Sequence, residues 1–585
     1  MGFETSYDSG QKPFSPDPNR GKWDKPKDFL FACFGLALKM DAFDYTYWVH
    51  NDMGILGILP YFVNMVLYMV PVIVIHSFMG QFSSSGFISA FRLSPFFKGM
   101  GYVSGFLSVS MLIYYSIYAA IPLFFILNSF QPTLPWSCEG SKSWLNETAW
   151  PSTCNERHSE FKNNTKYRRL YVPSALYFHN VFQQNEMVNI DHYYELSWHF
   201  VGLFALVWAM IALIFHAFSK TAKFGNFIRY MVIGTLVLLL VCFVRILFLP
   251  GALKAPRKYM TPKPDDWVLG TGSTFLIAMQ AFGAGWGSVI ALSSFNGFKT
   301  NIMSYSWIIS FGQIFIYIMF GMLSLMLEIY FSELPESSDK TLVMSFWVLN
   351  VSCASALSTM GWPNMWTFIY YTMLLMAAVI TITTQIFTVL QSLFDEFEGL
   401  RVRKQKVTFG LIGGLAICSI FFCTNHGLFS FLSITVDAIF THSVLHLLLL
   451  LVVLWIYGRE RFQRDIEFML GLQFPSWRIY ILRFIAPIIL LICLLIGISW
   501  SKLVHDYVSV FLLMFIIVVW LPLLAIPVYG LYYLSQSTGS VWDRLRSSCR
   551  PTDWYPVDME YRQKYEQAVG TTETHQLFGV TEEVN

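Results

Sequence analysis

Long apolar stretches constrain the fold of this chain of 585 residues more than any other feature of its sequence. A helix needs about 20 mostly apolar residues to cross the hydrocarbon core of a bilayer. A helix also satisfies its backbone hydrogen bonds internally, which lipid requires. Because about twelve such stretches occur, the sequence predicts an all-α integral membrane protein with about 12 transmembrane helices.

The predicted spans are numbered one to twelve in chain order. They cover residues 28–50, 55–82, 100–129, 196–218, 226–250, 273–297, 303–330, 365–393, 406–424, 428–457, 478–501 and 507–535. A polar N-terminal tail over 1–27 and a polar C-terminal tail over 536–585 flank this transmembrane domain over 28–535. Only 13% of the residues are charged, against roughly 25% in soluble proteins. We expect the C-terminal tail to be mobile.

Basic residues in the short loops predict the orientation, because Lys and Arg favour the cytoplasmic side. They cluster before span one, after spans two, four and eight, and after span ten. This distribution predicts two cytoplasmic termini and a multi-pass protein of the plasma membrane. The large loop at about 130–195 then lies outside the cell.

Two features of the loop at about 130–195 agree with its predicted position outside the cell. Asn146 and Asn163 begin glycosylation sequons, which are modified only on luminal segments. Cys138 and Cys154 lie in the same loop, where an oxidising compartment favours a disulfide. A third sequon, at Asn350, falls in another predicted outer loop. Chance occurrence is the alternative explanation for each sequon.

Spans one and six contain residues that interrupt a helix. Span six carries three glycines within the run 282–287, for which the alternative is a packing seam of small residues. Span one has Gly35 followed by the polar residues Lys39, Asp41 and Asp44. A charge at mid-bilayer is costly, so a functional role is its default interpretation.

The sequence argues against several other classes of protein. A net charge of +2 without a basic stripe gives no sign of nucleic-acid binding. No cysteine or histidine cluster has metal-ligand spacing. We expect no catalysis, because no Ser or Cys nucleophile has a base at a recognised spacing. Each of the scattered histidines His50, His76, His199 and His442 is interpreted as a packed or interfacial residue.

A series of short motifs carries a resemblance to a known family. In chain order they begin at Arg20 (Arg-Gly-Lys-Trp), Leu59 (Leu-Pro-Tyr), Gly80 (Gly-Gln-Phe), Phe97 (Phe-Lys-Gly-Met-Gly-Tyr), Leu134 (Leu-Pro-Trp), Leu249 (Leu-Pro-Gly-Ala), Phe394 (Phe-Asp-Glu-Phe) and Trp455 (Trp-Ile-Tyr-Gly). Their order and spacing resemble the neurotransmitter:sodium symporters. The resemblance implies two inverted five-helix repeats with helices one and six broken at the midplane.

The resemblance implies a secondary carrier for a small amino-acid-like or amine solute, in contact with membrane lipids and working by alternating access. Broken helices expose backbone groups that a substrate cavity can use. The implied substrate-binding residues are Gly35, Lys39, Asp41, Tyr115, Gln280, Phe282, Gly283 and Gly285. Arg20 and Asp395 match the cytoplasmic gate pair. Asp437 matches the acidic half of the outer gate, whose arginine is replaced by Tyr45.

The chain departs from the family pattern at the ion sites. Ala42, Ala281 and Ile380 stand where the resemblance expects side-chain oxygens for sodium, and Tyr317 stands at a chloride-site serine. Sodium prefers several hard oxygen ligands. The residual candidates are carbonyls near Gly35, Ala37 and Leu38 and the side chains of Gln313 and Thr381. We expect weak, altered or absent dependence on sodium and chloride, and no other cofactor.

Lys39 has three interpretations, which the sequence leaves open. Its ammonium could be a built-in cation that replaces sodium. It could pair with a substrate carboxylate or titrate and couple protons, since buried lysines can shift their pKa. It could also form a static salt bridge with Asp41 or Asp44.

A second class of function is compatible with the same fold. A receptor, sensor or accessory membrane protein could keep the same architecture without transporting a solute. Retention of the inner gate pair favours a protein that still moves, whereas the missing ion ligands indicate unusual coupling.

Overall fold

The computed structural model describes residues 14–40, 54–144, 173–182, 195–261, 274–275, 278, 287–333, 348–424, 427, 441–492, 494–495, 521–537 and 539–569. Within these ranges the chain is helical and contains no strand, only an isolated antiparallel bridge between Leu196 and Thr424. The helical class predicted from the sequence is therefore confirmed.

Eight helices among the described residues are long and apolar enough to cross a membrane. They are Ile55–Ser83, Pro95–Asn128, Trp198–Ala217, Thr221–Leu247, Ile302–Tyr330, Pro363–Glu396, Lys404–Cys423 and Thr441–Leu470. These helices correspond to predicted spans two, three, four, five, seven, eight, nine and ten. Predicted spans one, six, ten, eleven and twelve each extend into residues outside the described ranges, and the helix of span ten continues to Leu470, beyond its predicted end at residue 457. The chain is thus a multi-pass membrane protein.

Shorter helices complete the described chain. They are Pro26–Ala37, Pro173–Phe182, Lys254–Met260, Gly287–Ser293, Cys353–Ser358, Glu398–Arg401, Ser476–Tyr480, Leu521–Leu523, Ala525–Gln536, Val541–Ser548 and Met559–Val569. Wider π turns occur at Met65–Met69, Val348–Ser352, Val452–Gly458 and Ile481–Ile485. Such turns inside α-helices are rare and occur frequently at functional sites.

Span eight lies at the centre of the helical assembly. It packs against span five, the outer half of span three and the first helix, Pro26–Ala37. Spans three and eight bury most of their apolar residues inside the protein, whereas spans five and nine leave most of theirs on the outside. An apolar exterior is what lipid-facing helices require, so spans five and nine belong to the periphery.

Gly80 allows span two to contact the inner half of span six. A Cβ atom at this position would lie 1.9 Å from the carbonyl oxygen of Ile290, so a larger residue would force the helices apart. The adjacent Gln81 donates from Nε2 to the carbonyl oxygens of Phe298 at 2.9 Å and Thr300 at 3.0 Å. The Gly-Gln motif therefore joins span two to the helix Gly287–Ser293 by close approach and to the turn that follows this helix by hydrogen bonds.

The described C-terminal tail is docked against the ends of spans two and ten. Trp554 is fully buried, and its indole stacks on Phe82 with ring centroids 5.3 Å apart. Its Nε1–H donates to the Tyr457 hydroxyl at 3.0 Å, while Tyr565 donates to Asp465 at 3.0 Å. The expectation of a mobile tail was wrong for these residues, because aromatic side chains within a polar segment provide the docking surface.

The N-terminal tail joins the C-terminal tail at Arg92. The Arg92 guanidinium lies over the Phe14 ring, 3.4 Å from its centroid, and donates to the Asp553 carbonyl at 3.2 Å. The amide of Phe14 donates to the Asp553 carboxylate at 3.3 Å. Both tails therefore share one anchor at the inner end of span two.

Substitution of Trp554 tests the docking of the tail. We expect Trp554→Ala to lower the free energy of unfolding by about 3–5 kcal/mol, because truncating a buried aromatic side chain leaves a cavity. The matched control is Trp542→Ala, in the same tail, where the side chain is 79% exposed. Thermal unfolding of the purified full chain in detergent measures both variants. Equal decreases in the melting temperature for Trp554→Ala and Trp542→Ala would contradict the docking of Trp554.

Candidate functional site

The first helix ends among fully buried residues. Its regular hydrogen bonding runs over Pro26–Ala37, and the amide of Leu38 makes the final bond to the carbonyl of Phe34 at 3.1 Å. The amide of Met40 instead donates to the hydroxyl of Tyr115, on span three, at 2.7 Å. A side chain thus binds a backbone group that the helix leaves free, which is the condition for irregular backbone at membrane depth.

Lys39 lies at this helix end, next to the residue that binds Tyr115. It is only 2% exposed and is close enough to His442, on span ten, to interact with it electrostatically. The predicted substrate-binding residue Lys39 therefore directly precedes the residue whose amide binds Tyr115, a second predicted substrate-binding residue. A buried ammonium and a phenol hydroxyl offer one charged and one neutral polar contact to a bound molecule.

The predicted residual ion ligands on spans one and eight are in direct contact. The Thr381 hydroxyl lies 3.2 Å from the Gly35 carbonyl oxygen and 3.1 Å from the Ala377 carbonyl oxygen. A Cβ atom on Gly35 would lie 2.7 Å from the Cγ2 methyl of Ile380. Hydrocarbon therefore fills the space beside the Gly35 Cα, and a hydroxyl donates to the Gly35 carbonyl. Ala37 and Leu38, the other backbone candidates, are also fully buried.

Gln313 lies in an aromatic environment on span seven. The rings of Tyr61 and Tyr317 stack with centroids 4.0 Å apart and an angle of 13° between their planes. Gln313 lies beside the Tyr61 hydroxyl, outside normal hydrogen-bond geometry, and its amide atoms have no hydrogen-bond partner among the described residues. Because a buried polar group without a partner costs about 1–3 kcal/mol, this amide is a candidate contact for a bound molecule.

Arg20 and Asp395 form a buried ion pair with 3.0 Å between Nη2 and Oδ2. The carboxylate also accepts from the Gly86 amide at 2.7 Å and from Gln391 at 3.1 Å. Arg20 donates to the Ser84 carbonyl oxygen and the Ser294 hydroxyl. The pair therefore connects the N-terminal segment to spans two, six and eight.

Trp23 and Phe295 close the same region with apolar contacts. The Arg20 guanidinium lies 4.5 Å from the Phe295 ring centroid, and the Trp23 ring lies 5.2 Å from that ring. Trp23 Nε1–H donates to the Leu292 carbonyl at 3.0 Å. These contacts bury the charged pair and hold the N-terminal segment against the end of the helix Gly287–Ser293 and the residues that follow it.

Several predicted site residues lie outside the described ranges. Asp41, Tyr45, Gln280, Phe282, Gly283, Gly285 and Asp437 belong to this group, as do Asn146, Asn163 and Cys154. Cys138 is disulfide-bonded, and its partner is not among the described residues. The substrate, outer-gate and loop predictions for these positions therefore remain predictions.

The prediction of a glycan at Asn350 does not agree with the structure. Asn350 is fully buried and belongs to the π turn Val348–Ser352, not to an exposed loop. A glycan is bulky and requires a surface position. The sequon at this position is therefore accounted for by chance occurrence.

Three histidines form a group that the sequence interpretation missed. His76 on span two and His442 and His446 on span ten are each 2% exposed. The rings of His76 and His446 are 5.9 Å apart between centroids. The spacing of four residues between His442 and His446 was the available signal, because it places both on one helical face. The contact with span two could not be predicted from spacing.

Removal of Arg20 tests the energetic role of the ion pair. We expect Arg20→Ala to lower the free energy of unfolding by about 3–5 kcal/mol, because the buried Asp395 carboxylate loses its charge partner. Lys22→Ala is the control, since Lys22 forms an exposed pair with Asp558 at 2.9 Å. Thermal unfolding reports both effects. An Arg20→Ala melting temperature equal to that of Lys22→Ala would rule out a structural role for the pair.

Comparison with known proteins gives one family across most of the chain. A sequence model described as "Sodium:neurotransmitter symporter family" matches residues 20–537. The match extends from the predicted gate residue Arg20 to the end of the helix Ala525–Gln536.

Three relatives are similar over nearly the whole chain. A "Sodium-dependent acetylcholine transporter" from Caenorhabditis elegans is 26% identical over 92% of this chain and 79% of the relative. A human "Sodium- and chloride-dependent neutral and basic amino acid transporter B(0+)" is 24% identical, with 94% and 92% covered. A "Sodium-dependent dopamine transporter" from Bos taurus is 25% identical, with 91% and 77% covered. All three names describe transporters of small molecules.

Proposed function

Because the chain belongs to the sodium:neurotransmitter symporter family, whose members are transporters and not enzymes, we propose that it carries a small amino-acid-like or amine solute across the plasma membrane by alternating access. The observation that carries the proposal is the end of the first helix beside Lys39, where the Met40 amide binds the Tyr115 hydroxyl. Interrupted helices provide substrate contacts in transporters of this kind.

The buried ammonium of Lys39 favours one class of solute. A second cation beside it would experience repulsion in a low-dielectric interior, whereas a carboxylate would be attracted. According to their names, the three relatives transport acetylcholine, dopamine, or neutral and basic amino acids. Of these chemistries, an amino acid provides a carboxylate. We therefore favour an amino-acid-like solute that binds between Lys39 and Tyr115, with its carboxylate toward the ammonium.

The contacts at the ion positions support weak or absent sodium coupling. Beside Gly35 the methyl group of Ile380 and the hydroxyl of Thr381 occupy space where a cation would need oxygen ligands. The stacked ring of Tyr317 lies against Tyr61 where the resemblance places a chloride ligand. Gln313, with its amide oxygen, is the remaining side-chain candidate for an ion ligand on span seven. These contacts support transport that is largely independent of sodium and chloride.

The Arg20–Asp395 pair supports alternating access. An ion pair of this kind can form in one conformation and separate in another as helices rock. Here it joins four parts of the chain at the cytoplasmic end. We propose that the pair is the inner gate and that the described conformation is closed toward the cytosol. The proposed orientation has both termini in the cytosol and glycans at Asn146 and Asn163.

A non-transporting receptor, sensor or accessory protein is the second candidate. The observation that favours it is the filling of the two ion positions by Ile380 and by the Tyr317 ring, because a carrier without a driving ion cannot concentrate its solute. A bound solute would still shift such a protein between conformations. Only a measurement of flux separates the two candidates.

Uptake by liposomes containing the full chain tests transport. The probes are a mixture of tritiated amino acids, tritiated choline and tritiated dopamine, with sodium replaced by N-methyl-D-glucamine and chloride by gluconate. We expect uptake above that of empty liposomes for the amino-acid mixture, nearly unchanged by either replacement. Lys39→Met should reduce it, because the carboxylate loses its cation. Absence of uptake for every probe would favour the receptor or sensor.

Introduction of a carboxylate beside Gly35 tests the interpretation of the ion position. We expect sodium to raise the melting temperature of Ile380→Asp relative to potassium, because a hard oxygen ligand now faces the Gly35 carbonyl and a ligand of the native state stabilises it. The wild type should show no such difference. Ile382→Asp is the control, since this buried isoleucine lies two residues further along the same helix. An equal rise in the melting temperature of the wild type with sodium would contradict this interpretation of the ion position.

A further inference from the structure

The beginning of predicted span eleven carries a buried charge that the proposed solute site does not use. Arg478 belongs to the helix Ser476–Tyr480 and is only 7% exposed. Arginine is rarely buried to this extent in proteins unless a group of opposite charge accompanies it. The surroundings of Arg478 therefore indicate what kind of group compensates its charge.

Two tryptophan rings contact the Arg478 guanidinium. Its Cζ atom lies 4.8 Å from the ring centroid of Trp307, on span seven, and 5.2 Å from that of Trp477. Cation–π contacts of this kind contribute about 0.5–2 kcal/mol each. The rings stabilise the cation, but they bring no net negative charge to it.

No acidic side chain of the described ranges is close enough to interact with Arg478. Its Nε–H is enclosed and has no hydrogen-bond partner among the described residues. A guanidinium presents five N–H donors and stays charged in proteins. Because a buried cation without a counter-charge is costly, an acceptor that carries negative charge is expected at this position.

A second guanidinium follows on the same span. Arg483 lies over the Trp455 ring of span ten, 3.7 Å from its centroid. Its Nε–H also lacks a hydrogen-bond partner within the described part of the chain. Five residues of helix separate the two arginines, which is less than two turns. Two cations this close favour a ligand of net negative charge over a zwitterion, whose own cation would be repelled.

An exposed apolar stripe on span seven begins beside this charge. Trp307 stacks on Phe311 with ring centroids 5.7 Å apart, and Ile308, Phe311 and Phe315 are exposed. Residues three and seven positions after Ile308 lie on the same side of the helix, so the three side chains form one stripe along the span. A stripe of this kind suits a hydrocarbon chain. It distinguishes a lipid from a free phosphate, which has no apolar part.

We propose that Arg478 binds the headgroup phosphate of an anionic glycerophospholipid whose acyl chain lies along the stripe on span seven. The N–H fork of a guanidinium matches two oxygens of a phosphodiester, and the lipid compensates the buried charge. In the orientation that the basic loops predict, the beginning of span eleven faces the cytosol, and anionic lipids are concentrated in that leaflet. The stripe is on the outside of the protein, so binding of the lipid does not depend on the proposed transport function.

Thermal unfolding with and without lipid tests the site. The full chain is purified in dodecyl maltoside, depleted of lipid, and mixed with palmitoyl-oleoyl phosphatidylglycerol or phosphatidylcholine, which share their acyl chains and phosphate. We expect phosphatidylglycerol to raise the melting temperature more than phosphatidylcholine, because a ligand of the native state stabilises it. In Arg478→Met the advantage of phosphatidylglycerol should disappear. Without lipid, this variant should be about as stable as the wild type, since it loses an uncompensated buried charge.

Arg459→Met is the matched control for general attraction of anionic lipid to basic surfaces. Arg459 is an exposed arginine at the neighbouring end of span ten, and its variant should keep the wild-type preference for phosphatidylglycerol. An equal response of the wild type and Arg478→Met to phosphatidylglycerol would overturn the proposal, as would an equal loss of preference in both variants. A fall in the melting temperature of lipid-free Arg478→Met as large as that of Arg20→Ala would also overturn it, because Arg478 would then have a strong partner within the protein.

Native mass spectrometry of the same samples measures the affinity for lipid. A hydrogen bond to a charged group contributes about 1.5–3 kcal/mol, so Arg478→Met should bind phosphatidylglycerol about tenfold more weakly than the wild type or Arg459→Met. Inorganic phosphate alone and palmitoyl-oleoyl glycerol alone should leave the wild-type melting temperature unchanged, because each provides only one half of the ligand. Stabilisation by phosphate alone would contradict a lipid site. Cholesterol that stabilises the wild type as strongly as phosphatidylglycerol would contradict recognition by charge.

Discussion

Every structural feature of this protein follows from the absence of water in the bilayer core, which obliges each backbone amide and carbonyl to find a partner within the protein. The long helices satisfy that requirement internally. Where the first helix ends, the Met40 amide finds its partner in the Tyr115 hydroxyl instead. This contact allows irregular backbone in the interior of the protein.

The same constraint controls charges in the interior. Lys39 is only 2% exposed, so its ammonium depends on protein groups and not on water for compensation of its charge. Beside Gly35, by contrast, the Ile380 methyl group and the Thr381 hydroxyl fill the space between the first helix and span eight.

One end of the helical assembly is organised by contacts between distant parts of the chain. Arg20 and Asp395 meet there, and the buried Trp554 of the C-terminal tail contacts Phe82 of span two. The Gly80 contact holds spans two and six together just inside this layer. These contacts therefore tie the helices and both tails together through residues that are far apart in the sequence.

The sequence alone determined the membrane class, the positions of eight described spans, the interruption before Lys39 and the residues Arg20 and Asp395 that meet in the structure. These features depend on local apolar length, on charge and on residues with few structural alternatives. Only the tertiary structure decided that Trp554 is buried, that Asn350 is not exposed and that His76 contacts His446. Each of these facts depends on which helical faces meet, and periodicity within one segment does not specify the partner of that segment.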